Sequence, residues 1–323
     1  MGFHMGNFES VLKIIKESDT ITVWGHALPD GDCYGCQIGL RDIIKDNFPE
    51  KKVFAVGTGM SNLYERIGKM DEVDEETIAS SLAILVDVSC LRRVEDQRVN
   101  KAKRFAKFDH HTPNKEGESF PYPVFFVDHQ RISCAEIVET FAFKMGLKIP
   151  KSAAEALYLG ILTDSGGFRF YGTDERTIAS VKRLMKLGVE PISIRKIVCY
   201  EDERTKAFRL YLCQNVRRHK NVSYVYLHQE DYLSRSMSYE EAGSMVNAIE
   251  GITNPDIYCL FTEDGKGEIR GELRSDKGFP LVETAKRFHG GGHLFAAGTS
   301  TYSYEESMKL VDELSKVTPI ALQ

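Results

Sequence analysis

Buried-strand and helical patterns alternate through the first half of the chain. Thr20–Trp24, Lys52–Val56, Leu82–Val86, 104–108 and 123–127 are short, mostly apolar runs, and each reads as a strand. Gly31–Asn47 reads as a helix between the first two. Apolar strands separated by helices predict a largely parallel sheet with helices on both faces. Ser133, with Glu136 three residues on, has the pattern of a capping box and opens the next helix. Further helices are expected over 152–162, 174–187 and 191–217, with Gly188 and Pro191 marking a stop and a restart.

The second half reads as a smaller α/β domain. Val222–Leu227, 257–262 and 267–274 are expected strands, and 239–249 and 280–288 are expected helices. The run Gly290-Gly291-Gly292-His293, a further strand and a terminal helix follow. No Gly/Ser linker marks the junction, which we set near Tyr200. That gives domains of 1–200 and 201–323. Met1 to His4 precede a second methionine and are set aside.

Composition narrows the function classes. A chain of 323 residues suits two domains with a core each. It has no apolar stretch long enough to span a membrane and no signal-peptide pattern. Seven scattered cysteines, an odd number, suit a reduced, cytoplasmic protein better than a disulfide framework. The formal net charge of −5 lacks the basic footprint of a binder of long nucleic acid. A local basic pocket for a small anion remains compatible with it.

Candidate chemistry lies just after the apolar runs. His26 leaves one strand, and Pro29-Asp30-Gly31-Asp32 turns into a helix. Asp87 follows Leu82–Val86, where a carboxylate at the end of a buried strand needs a partner or a metal. Asp109-His110-His111 follows 104–108, and Asp164 precedes Ser165-Gly166-Gly167. Each cluster alone has a purely structural account: a capped turn, a loop cap, a surface His pair, a helix end. Together they offer carboxylates and imidazoles at one edge of a parallel sheet, where ligands gather. Hard oxygen donors with imidazole suit Mn(II) or Mg(II), and two ions about 3.5–4 Å apart suit attack on phosphorus.

In the second domain the three glycines let backbone approach a ligand, and their amides can face a phosphate. His293 adds a charge, and Arg274-Ser275 offers a phosphate or base contact. Cys33-Tyr34-Gly35-Cys36 has no second CxxC or thioredoxin-like context. It reads as small buried residues on a helix near the site. Arg92-Arg93 and Arg217-Arg218 read as solvated charge.

The set His26…Asp30-x-Asp32, Asp87, Asp109-His110-His111, Asp164 and Gly290-Gly291-Gly292-His293-x-x-Ala296-Ala297-Gly298 resembles the DHH phosphoesterases. It is most similar to those with a glycine-rich DHH-associated C-terminal domain. These include nanoRNases, adenosine-bisphosphate phosphatases and pApA or cyclic-di-AMP phosphodiesterases. The resemblance spans nearly the whole chain. It implies that His26 and Asp30 hold one Mn(II), that Asp32, His110 and Asp164 hold a second, and that Asp87 bridges them. Mg(II) or Co(II) are alternatives. It implies that His111 meets the scissile phosphate and assists proton transfer. The second domain would grip the nucleotide and close over the metals. Leu28, Cys33 and Cys90 depart from the Asn, Ala and acid that many relatives carry.

The expected activity is Mn-dependent hydrolysis of very short nucleotides (pApA, nanoRNA, cyclic-di-AMP) to mononucleotides by a two-metal-activated water. The alternative is a 3′-phosphoadenosine-5′-phosphate phosphatase, and one site is compatible with both. A pyrophosphatase fits the glycine-rich domain poorly, and a non-catalytic nucleotide sensor fits the full ligand set poorly. Expected partners are short RNA or dinucleotides, without long nucleic acid or membrane. A homodimer is admitted.

Overall fold

The structure is a computed structural model. It describes residues 5–59, 64–111, 124–170, 172–252, 255–275, 278–292 and 294–320. The chain forms two compact units, Met1–Tyr200 and Glu201–Gln323.

The first unit contains β1 (Met5–Gly6), α1 (Phe8–Lys16), β2 (Thr20–Trp24), α2 (Gly31–Asn47), β3 (Lys52–Val56), α3 (Glu75–Ser80) and β4 (Leu82–Val86). It continues through β5 (Arg104–Asp109), β6 (Phe125–Val127), α4 (Cys134–Lys144), α5 (Lys151–Asp164), α6 (Glu175–Lys186) and α7 (Pro191–Val198). The sheet order is β1-β6-β5-β4-β2-β3. Strands β2 to β6 run parallel, and β1 pairs antiparallel with β6. The alternation of β4 explains why helices are needed on both faces. Leu82, Ile84 and Val86 join the core under α2, α4 and α5, while Ala83 and Leu85 join a second cluster with Trp24, Ile78 and Val99. A strand apolar on both sides cannot leave either side to water.

Helices α2 and α5 approach closely because small residues face each other. A Cβ on Gly35 would lie 2.3 Å from the Ala156 carbonyl oxygen, and one on Gly160 would lie 2.6 Å from both Ala135 Cβ and Asp32 Oδ1. This crossing sets the first turn of α2 beside the last turn of α5.

The second unit contains α8 (Glu203–Gln214), β7 (Arg217–His219), β8 (Val222–Leu227), α9 (Gln229–Leu233), α10 (Tyr239–Gly243), β9 (Ile257–Glu263) and β10 (Ile269–Ser275). Then come α11 (Val282–Arg287), β11 (Gly291–Gly292), β12 (Ala296–Thr301) and α12 (Tyr304–Leu314). Its mixed sheet has the order β11-β12-β10-β9-β8-β7, parallel only between β8 and β9.

Several expectations need correction. The helix expected over 191–217 is two helices, because Asp202 caps α8 through the Thr205 amide at 2.7 Å and starts a new element. Arg217 is already in β7. The helix over 239–249 kinks at Met245 and ends as a 3₁₀ turn, Ser244–Ile249. Ser133 caps α4 through the Glu136 amide, but Glu136 does not complete the box. Its carboxylate is taken by Arg131 and by Thr177. Helix α1, which was not expected, buries Phe8, Val11, Ile14 and Ile15 on one face behind an Asn7 cap. Residues 1–4, Pro123 and His293 lie outside the described residues.

Helix propensity alone favours alanine over glycine by about 1 kcal/mol. Gly160→Ala is nonetheless expected to lower stability by about 1–3 kcal/mol, because the added carbon meets Ala135 and Asp32 in a filled space. Urea unfolding midpoints measure this, and an unchanged or stabilised variant contradicts the crossing.

Candidate metal centre

The sheet delivers its polar groups at one edge. His26 follows β2, Asp87 follows β4, and Asp109 ends β5 with His110 and His111 behind it. Since β5, β4 and β2 are neighbours, residues distant in sequence leave the sheet side by side. The crossing of α2 and α5 adds Asp32 and Asp164 from the helical side.

Asp87 occupies the middle. It is 2% exposed, and its φ of 53° is a left-handed conformation that Asp tolerates better than most residues. Its Oδ2 is 3.5 Å from His26 Nε2, and its Oδ1 is 3.2 Å from His110 Nε2 and 3.6 Å from His111 Nδ1. His110 Nε2 also lies 3.4 Å from Asp164 Oδ2. His26, Cys33 and Asp87 bring ligand atoms within 4.8 Å of one another, as do Asp87, His110 and His111, and Asp32, His110 and Asp164.

The tautomers follow from the partners. His26 Nδ1 is 2.9 Å from the Ala27 carbonyl, and His110 Nδ1 is 3.3 Å from the Arg131 carbonyl. A carbonyl only accepts, so each Nδ1 carries the hydrogen and each Nε2 turns its lone pair or a second proton to the carboxylates. At 3.2–3.5 Å these nitrogens and oxygens share protons that a cation could replace. Two donors each about 2.1 Å from one ion stand about 3.0–3.4 Å apart. The oxygen and nitrogen donors therefore fit a divalent metal.

His111 is held differently. Its Nδ1 is 2.7 Å from Asp109 Oδ1, whose other oxygen lies 2.6 Å from Lys107 Nζ. Lys107 and Asp109 are buried, and Lys107 also donates to the Ser89 carbonyl at 2.9 Å. Sequence reasoning placed Asp109 in the triplet without a role of its own and assigned none to Lys107. The available signal was a lysine inside an apolar strand, which must carry a buried partner.

Asp30 and Asp32 divide their work. Asp30 caps α2, accepting the Asp32 and Cys33 amides at 3.0 Å each, and its Oδ1 is 3.9 Å from His26 Nε2. Asp32 accepts the Cys134 and Ala135 amides at 2.7 and 2.9 Å, at the start of α4. Cys33 and Cys36 are buried on α2 as expected. Cys33, however, also turns toward His26 and Asp87.

Burial and the Asp87 charge push the Asp32 carboxyl up to about 8. Burial, then Asp32 and Asp30, raise Asp164 well above the usual range. Burial depresses His26, but Asp87, Cys33 and Asp30 outweigh it and carry the imidazole up to about 12. His110 is likewise raised by Asp87 and Asp164 against its burial. Burial opposes the ionisation of Asp87, yet His110 and His26 hold it well below the carboxylate range.

In the second unit, the expected substrate residues gather at one end of the sheet. Arg274 pairs with Ala296, and Gly291 and Gly292 pair with Gly298 and Ala297. Arg274 Nη1 donates to the Leu273 carbonyl at 2.9 Å and to Glu272 at 3.3 Å. Ser275 Oγ accepts the Phe279 amide at 3.1 Å. A Cβ at Gly290 would lie 2.0 Å from the Gly298 carbonyl oxygen, so close strand approach by itself demands glycine there.

A parallel sheet with carboxylates and imidazoles at its carboxyl edge, followed by a unit with a mixed sheet, defines a two-domain α/β protein with a candidate divalent-metal centre. Residues 20–161 match the DHH family, N-terminal domain, and residues 220–318 match the DHHA1 domain. The chain is 30% identical to the probable bifunctional oligoribonuclease and PAP phosphatase NrnA of Streptococcus mutans, over 97% of this chain and 99% of that one. It is 32% identical to the bifunctional oligoribonuclease and PAP phosphatase NrnA of Bacillus subtilis, over 94% and 96%. The chain belongs to the DHH family. The crystal structure of an exopolyphosphatase-related protein from Bacteroides fragilis shares its fold, with a TM-score of 0.83 and 24% identity over 96% of this chain and 95% of that one. Among the described residues no helix is long and apolar enough to cross a membrane.

The raised groups set the sign of a pH effect. Asp32, Asp164, His26 and His110 all bind protons more tightly when folded. Each contribution is fully present below that group's unfolded value, 3.8 for the carboxyls and 6.5 for the imidazoles, and is lost as pH rises toward the folded value, about 8 for Asp32 and about 12 for His26. The metal-free protein should therefore lose Tm between pH 5.5 and 8.5, and added Mn(II) should restore most in the alkaline samples. Thermal scans with chelator and with Mn(II) measure this. A metal-free Tm that rises over that interval contradicts the reading.

Proposed function

We propose that the chain is a metal-dependent phosphodiesterase that hydrolyses very short nucleotides, such as pApA and nanoRNA, to mononucleotides. The observation that carries this reading is the buried Asp87 carboxylate, which turns Oδ2 to His26 and Oδ1 to His110, two imidazoles whose Nδ1 atoms are fixed by carbonyls. Similarity along nearly the full length of two bifunctional oligoribonuclease and PAP phosphatases supplies the substrate class. Those names also favour 3′-phosphoadenosine-5′-phosphate phosphatase activity at the same site.

His26 and Asp30 would hold one Mn(II), Asp32, His110 and Asp164 a second, and Asp87 both. Mg(II) and Co(II) suit the same oxygen and nitrogen donors. When bound, such a pair supplies a water acidified toward neutral pH and neutralises charge on the phosphoryl oxygens. His111, anchored through Asp109, is assigned to the phosphate, where a proton on Nε2 can be given to an oxygen that develops charge. Asp32 and Asp164 must be deprotonated to bind metal, so binding strengthens as pH rises. We assign nucleotide binding to the second unit, through Arg274 and the glycine run 290–292 with His293. With a net charge of −5, the chain has no extended basic track for a long strand.

A ladder of 5′-phosphorylated RNAs with Mn(II) at fixed salt tests the substrate. Turnover should fall steeply beyond about five nucleotides. Equal rates on a dimer and a strand of about twenty nucleotides would replace this reading with a processive exonuclease. Residue roles separate by metal content. Asp87→Ala should lose metal and more activity than the roughly 10²–10³-fold cost of one preorganised contact. His111→Ala should keep its metals and lose turnover. His110→Ala should empty one position. Arg274→Ala should raise KM at unchanged metal content. Activity that survives exhaustive chelation would defeat the proposal.

A further inference from the structure

Cys33 sits in the first turn of α2 and is fully buried. Its sulfur belongs to the His26–Cys33–Asp87 group, with all three ligand atoms within 4.8 Å of one another. Within that group His26 Nε2 and Asp87 Oδ2 are 3.5 Å apart, close to the separation of two donors bonded to one ion at about 2.1 Å. The surroundings leave room for the sulfur, and burial pushes its thiol up to about 12, so a bound cation is what would take the proton's place. A Cβ at Gly25 would lie 2.2 Å from Cys33 Sγ, so only glycine leaves that space open. The His26 amide donates to the sulfur at 3.3 Å, and a helix N-terminus favours a negative group. Asp30 gives Oδ1 to the Asp32 and Cys33 amides.

We propose that Cys33 joins His26, Asp30 and Asp87 as a ligand of the first metal position and shifts the preference of that position from Mn(II) toward a thiophilic divalent cation, Zn(II) or Cd(II). The inference rests on the reading that His26 and Asp87 hold a metal. Asp32, His110 and Asp164 offer only oxygen and nitrogen, so the second position keeps the preference for a hard ion. The two positions are then chemically unequal, and the first fills with Zn(II) or Co(II) before Mn(II) competes. On binding, the sulfur–metal bond forms as the S–H bond breaks and the proton passes to solvent.

The test is optical and needs no turnover. The full-length protein, stripped of metal, is titrated with Co(II). A thiolate-to-cobalt charge-transfer band should grow with the first equivalent and be absent from the second. Cys33→Ala and Cys33→Ser should bind Co(II), seen by its d–d bands and by elemental analysis, without the charge-transfer band. Cys36→Ala should keep the band. Competition of Zn(II) against Mn(II) should shift toward Mn(II) in Cys33→Ala by roughly ten- to a hundredfold, the range that even outer partners of a metal site carry. Wild-type protein that binds Co(II) without the band overturns the sulfur ligand and leaves the metal centre standing. A band that survives in both Cys33 variants also overturns it. Failure to bind any Co(II) removes the metal centre and this inference together. Should either variant fold poorly, the wild-type spectrum alone decides.

Discussion

A carboxylate held out of water at the end of the central strand dictates the arrangement around it. Asp87 closes β4, a strand buried on both faces, and its side chain has nowhere to reach solvent. An isolated buried carboxylate is costly enough that it would take up a proton or find a cation. The neighbouring strands answer from either side, β2 with His26 and β5 with His110 and His111. The helices complicate the answer. The Gly35 and Gly160 crossing brings Asp32 and Asp164 into the same space, where they are pushed toward protonation. The apo centre is thus a frustrated cluster, with carboxylates protonated or paired to imidazolium, and added positive charge relieves it. The same packing that makes the core compact creates the demand for a cation.

Much of this was legible because parallel α/β sheets couple pattern to place. An apolar run marks a buried strand, and the first polar residues after it lie at the carboxyl edge. His26, Asp87 and Asp109-His110-His111 could be assigned to one edge on that ground, and Gly31–Asn47 was read to its ends. What failed depended on side chains choosing among partners. The break before α8 hinges on one Asp202 oxygen capping an amide. The expected box at α4 is absent because Arg131 and Thr177 take Glu136. Helix α1 carried the spacing Phe8, Val11, Ile14, Ile15, which periodicity could have found. In the second unit the glycine run could be read for ligand binding or for strand packing. Gly290 shows that packing alone suffices at that position, so its identity is weak testimony about substrate. The position of Cys33 beside His26 and Asp87 has no signature in spacing at all.

The three histidines have two kinds of support, and this divides their chemistry. His26 and His110 are fixed by neutral backbone carbonyls, which set the tautomer without adding charge. Such an imidazole presents a bare Nε2 once a cation displaces its proton, which is what a metal ligand requires. His111 is fixed by the Asp109 carboxylate. A carboxylate on Nδ1 fixes the ring and leaves Nε2 to face outward, as the proposed contact with the phosphate requires. Unmoderated, Asp109 would add a further full charge to a site already crowded with acids. Lys107, buried 2.6 Å from its other oxygen, offsets that charge and confines the influence of Asp109 to its hydrogen bond with His111. Lysine on the strand interior is therefore part of the same electrostatic solution as Asp87. Under the proposed function it lets one acid orient His111 without competing for the cation that the remaining acids would hold.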